Sequence, residues 1–208
     1  MTPYRLFSRQ QTGGMAIEAA LAEAGAPFEL VEVPRPGTPE QKAAFATINP
    51  RLQVPVLVHP TGLVVTEGPA ILLHIGDAFP DAKLVPPPGS PARASHDRWL
   101  CFFHANVYEG MLRELAPRRY TVDADAAPAV KSAATEYVRR HFLLFDGQLG
   151  NGPYLSSSDL SMFDIYLWML CFWMDTDWLA ANCPKVHRLW STAQGRPVLA
   201  RIALNHFG

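Results

Sequence analysis

A proline inside an apolar run constrains this chain more than any other feature. Pro55 stands between Val54 and Val56 in Gln53-Val54-Pro55-Val56-Leu57-Val58, where a central strand would exclude it because proline has no N–H to donate to the ladder. Val54-Pro55 therefore opens a strand. An X-Pro bond that turns a chain into a sheet is a candidate for the cis form, which costs only about 0.5–1 kcal/mol at proline. In that form the backbone N–H and C=O of Val54 face outward, where an extended peptide can pair with them.

The residues that follow build outward from that strand. His59-Pro60-Thr61-Gly62 supplies turn chemistry, and Leu63, Val64 and Val65 form the next apolar strand, so the two make a hairpin. Gly68 and Pro69 fit an N-cap and first helical position, because the N–H that proline lacks has no helical partner there. A helix through Ile75 follows, with its positive end at Glu67-Gly68.

Upstream, Tyr4 to Phe7 is a short strand, Ser8 to Gly14 a polar loop, and Met15 to Ala24 an alanine-rich helix ended by Gly25. Phe28 to Val33 alternates apolar with acidic, as a half-exposed strand does, before Pro34-Arg35-Pro36-Gly37 breaks it. Thr38 to Thr47 reads as a short helix capped by Thr38. The order β-α-β-α-β-β-α implies a parallel strand pair closed by an antiparallel hairpin.

Pro86, Pro87, Pro88 and Pro91 make a stiff linker. We therefore divide the chain into residues 1–82, a linker at 83–91 and a helical domain at 92–208. Helical patterns cover 92–115, 127–148, 161–174 and 184–193, with a last turn after Pro197. Ser161 to Asp164 has the form of a capping box with Leu160 and Ile165 as its staple; both polar residues are read as structural, and that helix as the most buried.

Composition narrows the function classes. With 208 residues, 49% hydrophobic and 18% charged, the chain can bury a substantial core and reads as soluble and globular. A formal net charge of −1 and no basic run exclude an electrostatic footprint for nucleic acid or a membrane surface. Cys101, Cys171 and Cys183 are widely spaced, so they signal neither a disulfide framework nor a zinc site and read as buried thiols of a cytoplasmic protein. The seven histidines lack metal spacing, and His74 and His104 read as packed or surface residues. No targeting or membrane-spanning segment is expected.

Taken together, Asn49-Pro50 with Gln53-Val54-Pro55, Thr66-Glu67-Gly68 before Ala70-Ile71-Leu72, the proline-rich linker and Ser161 to Asp164 resemble the cytosolic glutathione S-transferase family over essentially the whole length. The resemblance implies a thioredoxin-like α/β N-terminal domain and an all-α C-terminal domain. It implies a cytoplasmic, homodimeric, detoxifying enzyme that uses glutathione as co-substrate, with no metal, and adds its thiolate to a hydrophobic electrophile. A weakly catalytic or non-catalytic binding protein, and a glutathione-dependent isomerase or disulfide reductase, are the alternatives on the same fold.

The same resemblance implies site residues. Gln53, the Val54 backbone and Pro55 would hold the cysteinyl part of glutathione, and Glu67 and Gly68 the γ-glutamyl end. The physics agrees: an α-carboxylate belongs at a helix N-terminus and an α-ammonium beside a carboxylate. Gly68 stands where relatives carry a serine, so one hydroxyl is missing. Phe7 stands near the position of the family's tyrosine and has no proton to give. Thr12-Gly13-Gly14 stands where related bacterial sequences carry a Ser-Gly-Ser type of loop, so the resemblance implies Thr12, and then Ser8, as the hydroxyl that holds the thiolate, the reactive form of the thiol. Trp99, Phe103 and Tyr108 are candidates for the hydrophobic substrate site. Taken singly, Pro55 is an edge-strand proline, Glu67 a solvated turn residue and the aromatic stripe plain core.

Overall fold

A computed structural model describes residues 2–156 and 158–208. The chain divides into two compact units, Met1–Val85 with Ala193–Gly208, and Pro86–Thr192.

The first unit is built on a four-stranded sheet in the order β2-β1-β3-β4. Its strands are β1 (Tyr4–Ser8), β2 (Phe28–Glu32), β3 (Val56–Val58) and β4 (Val64–Val65), and its first helices α1 (Gly14–Glu23), α2 (Pro39–Ala46) and α3 (Gly68–Ala78). The expected element order therefore holds. β1 and β2 are parallel with Leu6 opposite Leu30. β1 and β3 are antiparallel with Phe7 opposite Val56, and β3 and β4 close the hairpin with Leu57 opposite Val65.

Alternation along the strands separates two apolar layers. Phe7, Val56 and Val58 cluster with Val33 and with Phe45 of α2, and Phe7 stacks on Phe45 at 5.9 Å between ring centroids. Leu6 and Leu57, of opposite side-chain direction, are fully buried, as are Ile17 and Leu21 of α1 and Ile71 and Ile75 of α3; α1 packs on both β1 and α3. Each such side chain contributes about 1.5–3 kcal/mol by leaving water.

Local signals set the helix ends. Thr38 caps α2 reciprocally: its Oγ1 accepts from Gln41 N at 3.2 Å and its N–H donates to Gln41 Oε1 at 2.8 Å. Gly25, at φ +66°, takes the chain out of α1 in a conformation that costs glycine little. At α3 the cap is Glu67, at φ 67°, and Gly68 is the first helical residue, so the helix starts one residue earlier than expected.

The second unit is helical, with α4 (Pro91–Phe102), α5 (Glu109–Leu115), α6 (Ala127–Gln148), α7 (Met162–Cys171), α8 (Thr176–Asn182) and α9 (Pro184–Gln194). Ser90 caps α4 by accepting from Arg93 N at 3.1 Å. Between α4 and α5 lies one stretch of π-helix, Phe103–Tyr108, so the pattern at 92–115 is a helix with a wide turn inside it. α8 was not expected: its seven residues are too few for a periodic signal, and Asp175, which accepts from Asp177 N and Trp178 N at 3.0 and 3.1 Å, is its cap.

α7 is buried along its whole length, as expected. The Ser161 side chain accepts from Asp164 N, and Asp164 accepts from Ser161 N at 2.8 Å and from Ser161 Oγ at 2.6 Å. Leu155 N also donates to Asp164 at 2.9 Å. A further partner comes from α4, where His96 Nε2 accepts from Phe163 N at 3.1 Å while its Nδ1 lies 2.8 Å from Asp97 Oδ1. Several of the donors around this helix start are thus satisfied inside the core.

The last helix, α10 (Pro197–Phe207), is eleven residues long where a single turn was expected. It also lies in the first unit, whereas the sequence reading grouped 193–208 with the helical domain. The physical reason is its contact with α1. Leu199, Ile202 and Ala203 are buried, Arg196 grips Glu23 with two bonds of 2.9 and 2.6 Å, and His206 reaches Glu18 at 2.9 Å. Cys101 is exposed, unlike Cys171 and Cys183, which corrects the expectation of three buried thiols.

Candidate functional site

Sheet register places the candidate residues of the first unit at one end of the sheet. Phe7 lies opposite Val56, so β1 runs out into the loop at Ser8 where β3 is entered from Val54-Pro55. The Val54-Pro55 peptide is cis, as is Arg35-Pro36. The ladder between β1 and β3 begins at Val56, which leaves the backbone of Val54 outside it.

The approach to Val54 is shaped by Asn49, a buried side chain that sequence reasoning quoted in its motif but gave no role. Its Nδ2 donates to the carbonyl of Gln53 at 2.8 Å and its Oδ1 accepts from Arg51 N at 3.1 Å. Its own carbonyl accepts from Leu52 N at 2.9 Å, and Leu52 sits at φ 55°. Asn49 thereby closes a tight loop. The signal was available in the sequence: an asparagine before proline forms local turns of this kind.

Arg51 then joins this loop to the start of α3. Its Nη1 lies 2.9 Å from Glu67 Oε1, with both side chains more than half exposed. Glu67 and Gly68 stand at the N-terminus of α3, where no side-chain cap hydrogen bond is formed and backbone N–H groups present partial positive charge. The pair thus brings Glu67 beside the loop that carries Gln53, Val54 and Pro55. Gln53 is exposed, and Val54 and Pro55 are half-buried.

The two hydroxyl candidates differ. Ser8 is buried and packs so closely on α1 that a Cβ built on Gly14 would overlap Ser8 Oγ and stand 2.7 Å from its Cβ. Its hydroxyl donates to the Arg9 carbonyl at 3.3 Å. Thr12 is half-buried, directly before α1, and its hydroxyl donates to the same carbonyl at 2.8 Å. α1 starts at Gly14 with Gly13 as a cap that has no side-chain bond. Beside them Arg9 donates to Val33 O at 2.7 Å, and burial together with nearby Arg35 pulls its guanidinium below its ordinary pKa.

Within the helical unit the three aromatic candidates separate. Trp99 and Phe103 are core: Trp99 meets Phe145 at 4.7 Å, and Phe103 meets Phe142, Phe145 and Phe163 at 5.6, 5.0 and 5.3 Å, edge to face. Both rings, expected at a substrate site, are taken up in aromatic packing. Tyr108 keeps part of its surface, stacked on His104 at 5.4 Å. His104 Nδ1 is 2.8 Å from the hydroxyl of Tyr166, a buried phenol whose pKa is raised by burial and then by Tyr108 and Glu109. His104 and Tyr108 share the π-helical stretch Phe103–Tyr108, and such wide turns concentrate at functional sites. Nothing in the sequence marks a π turn.

Among the described residues no cluster of three His, Cys, Asp or Glu side chains is placed to hold a metal, and no helix is long and apolar enough to cross a membrane.

The family model for the glutathione S-transferase N-terminal domain matches residues 15–78, which run from α1 to the end of α3. The GST-like protein YncG of Escherichia coli K12, described as uncharacterized, is 28% identical over 194 residues, 91% of this chain and 92% of that one. Glutathione S-transferase GstA of Escherichia coli O157:H7 is 30% identical over 120 residues, 56% of this chain and 60% of that relative's length. A sphingomonad glutathione S-transferase solved in complex with glutathione is similar at a TM-score of 0.80 and 28% identity, covering 97% of this chain and 98% of the other. Residues 15–78 thus match the glutathione S-transferase N-terminal domain, and the chain over most of its length is similar to a GST-like protein and, in fold, to solved glutathione S-transferases.

Proposed function

We propose that the protein is a glutathione transferase whose first unit binds glutathione and activates its thiol for attack on a hydrophobic electrophile. The observation that carries this reading is the Arg51–Glu67 contact at 2.9 Å, which ties the Gln53-Val54-Pro55 loop to the N-terminus of α3. A backbone able to pair with a peptide and a carboxylate at a helix N-terminus then lie side by side. That combination suits a tripeptide with an extended cysteinyl backbone and a zwitterionic end.

In this reading Val54 pairs with the cysteinyl backbone, flanked by Gln53 and Pro55. Glu67 takes the α-ammonium and the Gly68 N–H the α-carboxylate. The thiol then meets the loop between β1 and α1. Thr12 is the better placed hydroxyl, since Ser8 is enclosed against Gly14. To hold a thiolate, Thr12 turns its proton from the Arg9 carbonyl to the sulfur, aided by the N–H groups and dipole at the start of α1. On the helical unit, Tyr108 remains the proposed contact for the electrophile. A homodimer in the cytoplasm completes the proposal on the strength of the family, and light scattering on the purified protein reads the oligomeric state.

Calorimetry with glutathione tests the binding half: no heat at millimolar ligand removes the proposal. Turnover of a chloroaromatic acceptor tests the chemical half, and undiminished turnover by Thr12→Ala removes Thr12 as the activating group.

A second reading, a binding protein with little chemistry, is favoured by one specific observation. Both loop hydroxyls give their proton to the Arg9 carbonyl, and Phe7 has none to give. Binding of glutathione without turnover of a chloroaromatic acceptor, a cis-enol diketone or a mixed disulfide selects it, whereas turnover of one of the last two selects an isomerase or a disulfide reductase.

A further inference from the structure

The segment that carries Thr12 is tied to the far end of the chain. Gln11 N donates to His206 Nδ1 at 3.0 Å, Gln11 Nε2 donates to the His206 carbonyl at 3.1 Å, and Gln10 Nε2 donates to the Asn205 carbonyl at 3.2 Å. Two of these acceptors are carbonyls in the last turn of α10, which have no partner inside their own helix. The loop therefore caps the helix, and the helix fixes the loop.

His206 is the centre of this contact. It is buried, with Nε2 2.9 Å from Glu18 Oε2 on α1. A backbone N–H can only donate, so Nδ1 is the acceptor and Nε2 carries the hydrogen given to Glu18. The ring thus spans a main-chain amide in the loop and a carboxylate on the helix that the loop leads into.

The amide it holds belongs to a residue in an unfavourable conformation. Gln11 sits at φ 57°, the left-handed region, which is unfavourable for a residue with a side chain and persists where surrounding bonds enforce it. The direction of the chain at Gln11 decides where Thr12 and the N–H groups of Gly13 and Gly14 point. The other end of α10 is tied to α1 as well, through Arg196 and Glu23 at 2.6 Å.

We propose that His206 is a positioning residue for thiol activation, holding Gln11 so that Thr12 and the start of α1 face the glutathione sulfur. The inference rests on the transferase reading. His206 touches no substrate and acts through the Gln11 amide. A displacement of about 1 Å at a reacting group costs on the order of a hundredfold in rate, so loss of the His206–Gln11 bond is read in kcat rather than in glutathione affinity, which belongs to Val54, Glu67 and Gly68.

Two variants separate positioning from bulk stability. His206→Asn keeps an acceptor near the Nδ1 position and gives up the contact to Glu18. His206→Gln reaches toward Glu18 and leaves the Gln11 amide without an acceptor. His206→Gln should lose about a hundredfold in kcat and the ultraviolet absorbance of bound thiolate, with glutathione affinity by calorimetry retained; His206→Asn should keep both. Hydrogen exchange should show the Gln11 amide opening in the Gln variant while the α1 amides stay protected. Thiolate formation by His206→Gln equal to that of the unaltered protein, or equal losses in both variants, overturns the proposal. Failure of the unaltered protein to bind glutathione removes the transferase reading instead, and the Gln11 exchange then decides by itself whether His206 orders the loop.

Discussion

Asn49 donates its side-chain amide to the carbonyl of Gln53 at 2.8 Å, so a buried residue four places upstream sets the course of the backbone into Val54-Pro55. Gln53, Val54 and Pro55 keep part of their surface, but the residue that places them is buried. Shape at this site is carried from inside the first unit.

Replacing Asn49 by alanine removes the donor to Gln53 and the acceptor for the Arg51 amide together. Two backbone groups in a part-buried turn lose their partners, about 1–3 kcal/mol together. The expected result is a stability loss in that range by urea unfolding and a glutathione affinity about tenfold weaker. An affinity unchanged in a destabilised variant would separate Asn49 from binding.

Glu67 and Gly68 are predicted to act in opposite directions. Glu67→Gln removes the charge proposed to meet the α-ammonium and should weaken glutathione by about 1.5–3 kcal/mol. Its ion pair with Arg51 is exposed, so the melting temperature should barely move.

Gly68→Ser supplies the absent hydroxyl and should tighten binding by up to the same amount. Calorimetry on the two variants checks both signs.

Gly14→Ala places a methyl on Ser8, whose Cβ would stand 2.7 Å away. Ser8 is buried at the end of β1 and has no room to yield, so the variant should lose about 1–3 kcal/mol as overpacking. A double variant with Ser8→Gly should recover most of it; no recovery would show that the contact is not the cause.

Burial pushes the Asp164 carboxyl up to about 6 from 3.8, against the hydrogen bonds from Ser161 and Leu155 that pull it down. A raised carboxyl pKa means that the folded state keeps a proton the unfolded chain has lost. Its contribution is therefore complete below 3.8, declines as pH rises, and is gone above about 6, a change of about 3 kcal/mol by linkage. The stability difference between the protein and Asp164→Asn should narrow from pH 4 to pH 7, and a widening gap in the two melting curves would contradict the assignment. Asp164→Ala, which also removes the cap, should cost about 0.5–2 kcal/mol.

Much of this protein was determined by signals that act within a few residues. Thr38, Gly25 and Ser161 with Asp164 mark helix ends because their bonds reach three or four places along the chain, and Pro55 marks a strand entry because it lacks an N–H. Apolar periodicity then placed most elements of both units. Tertiary structure alone decided what lies between distant residues. It put Trp99 and Phe103 in the core and left Tyr108 half-buried, because one helical stripe looks the same whether rings or ligand cover it. It joined Arg51 to Glu67, sixteen residues on, and brought His206 to Gln11 across 195. Those pairings depend on how helices and strands pack, and no local pattern encodes which side chain a folded chain will bring within 3 Å of another.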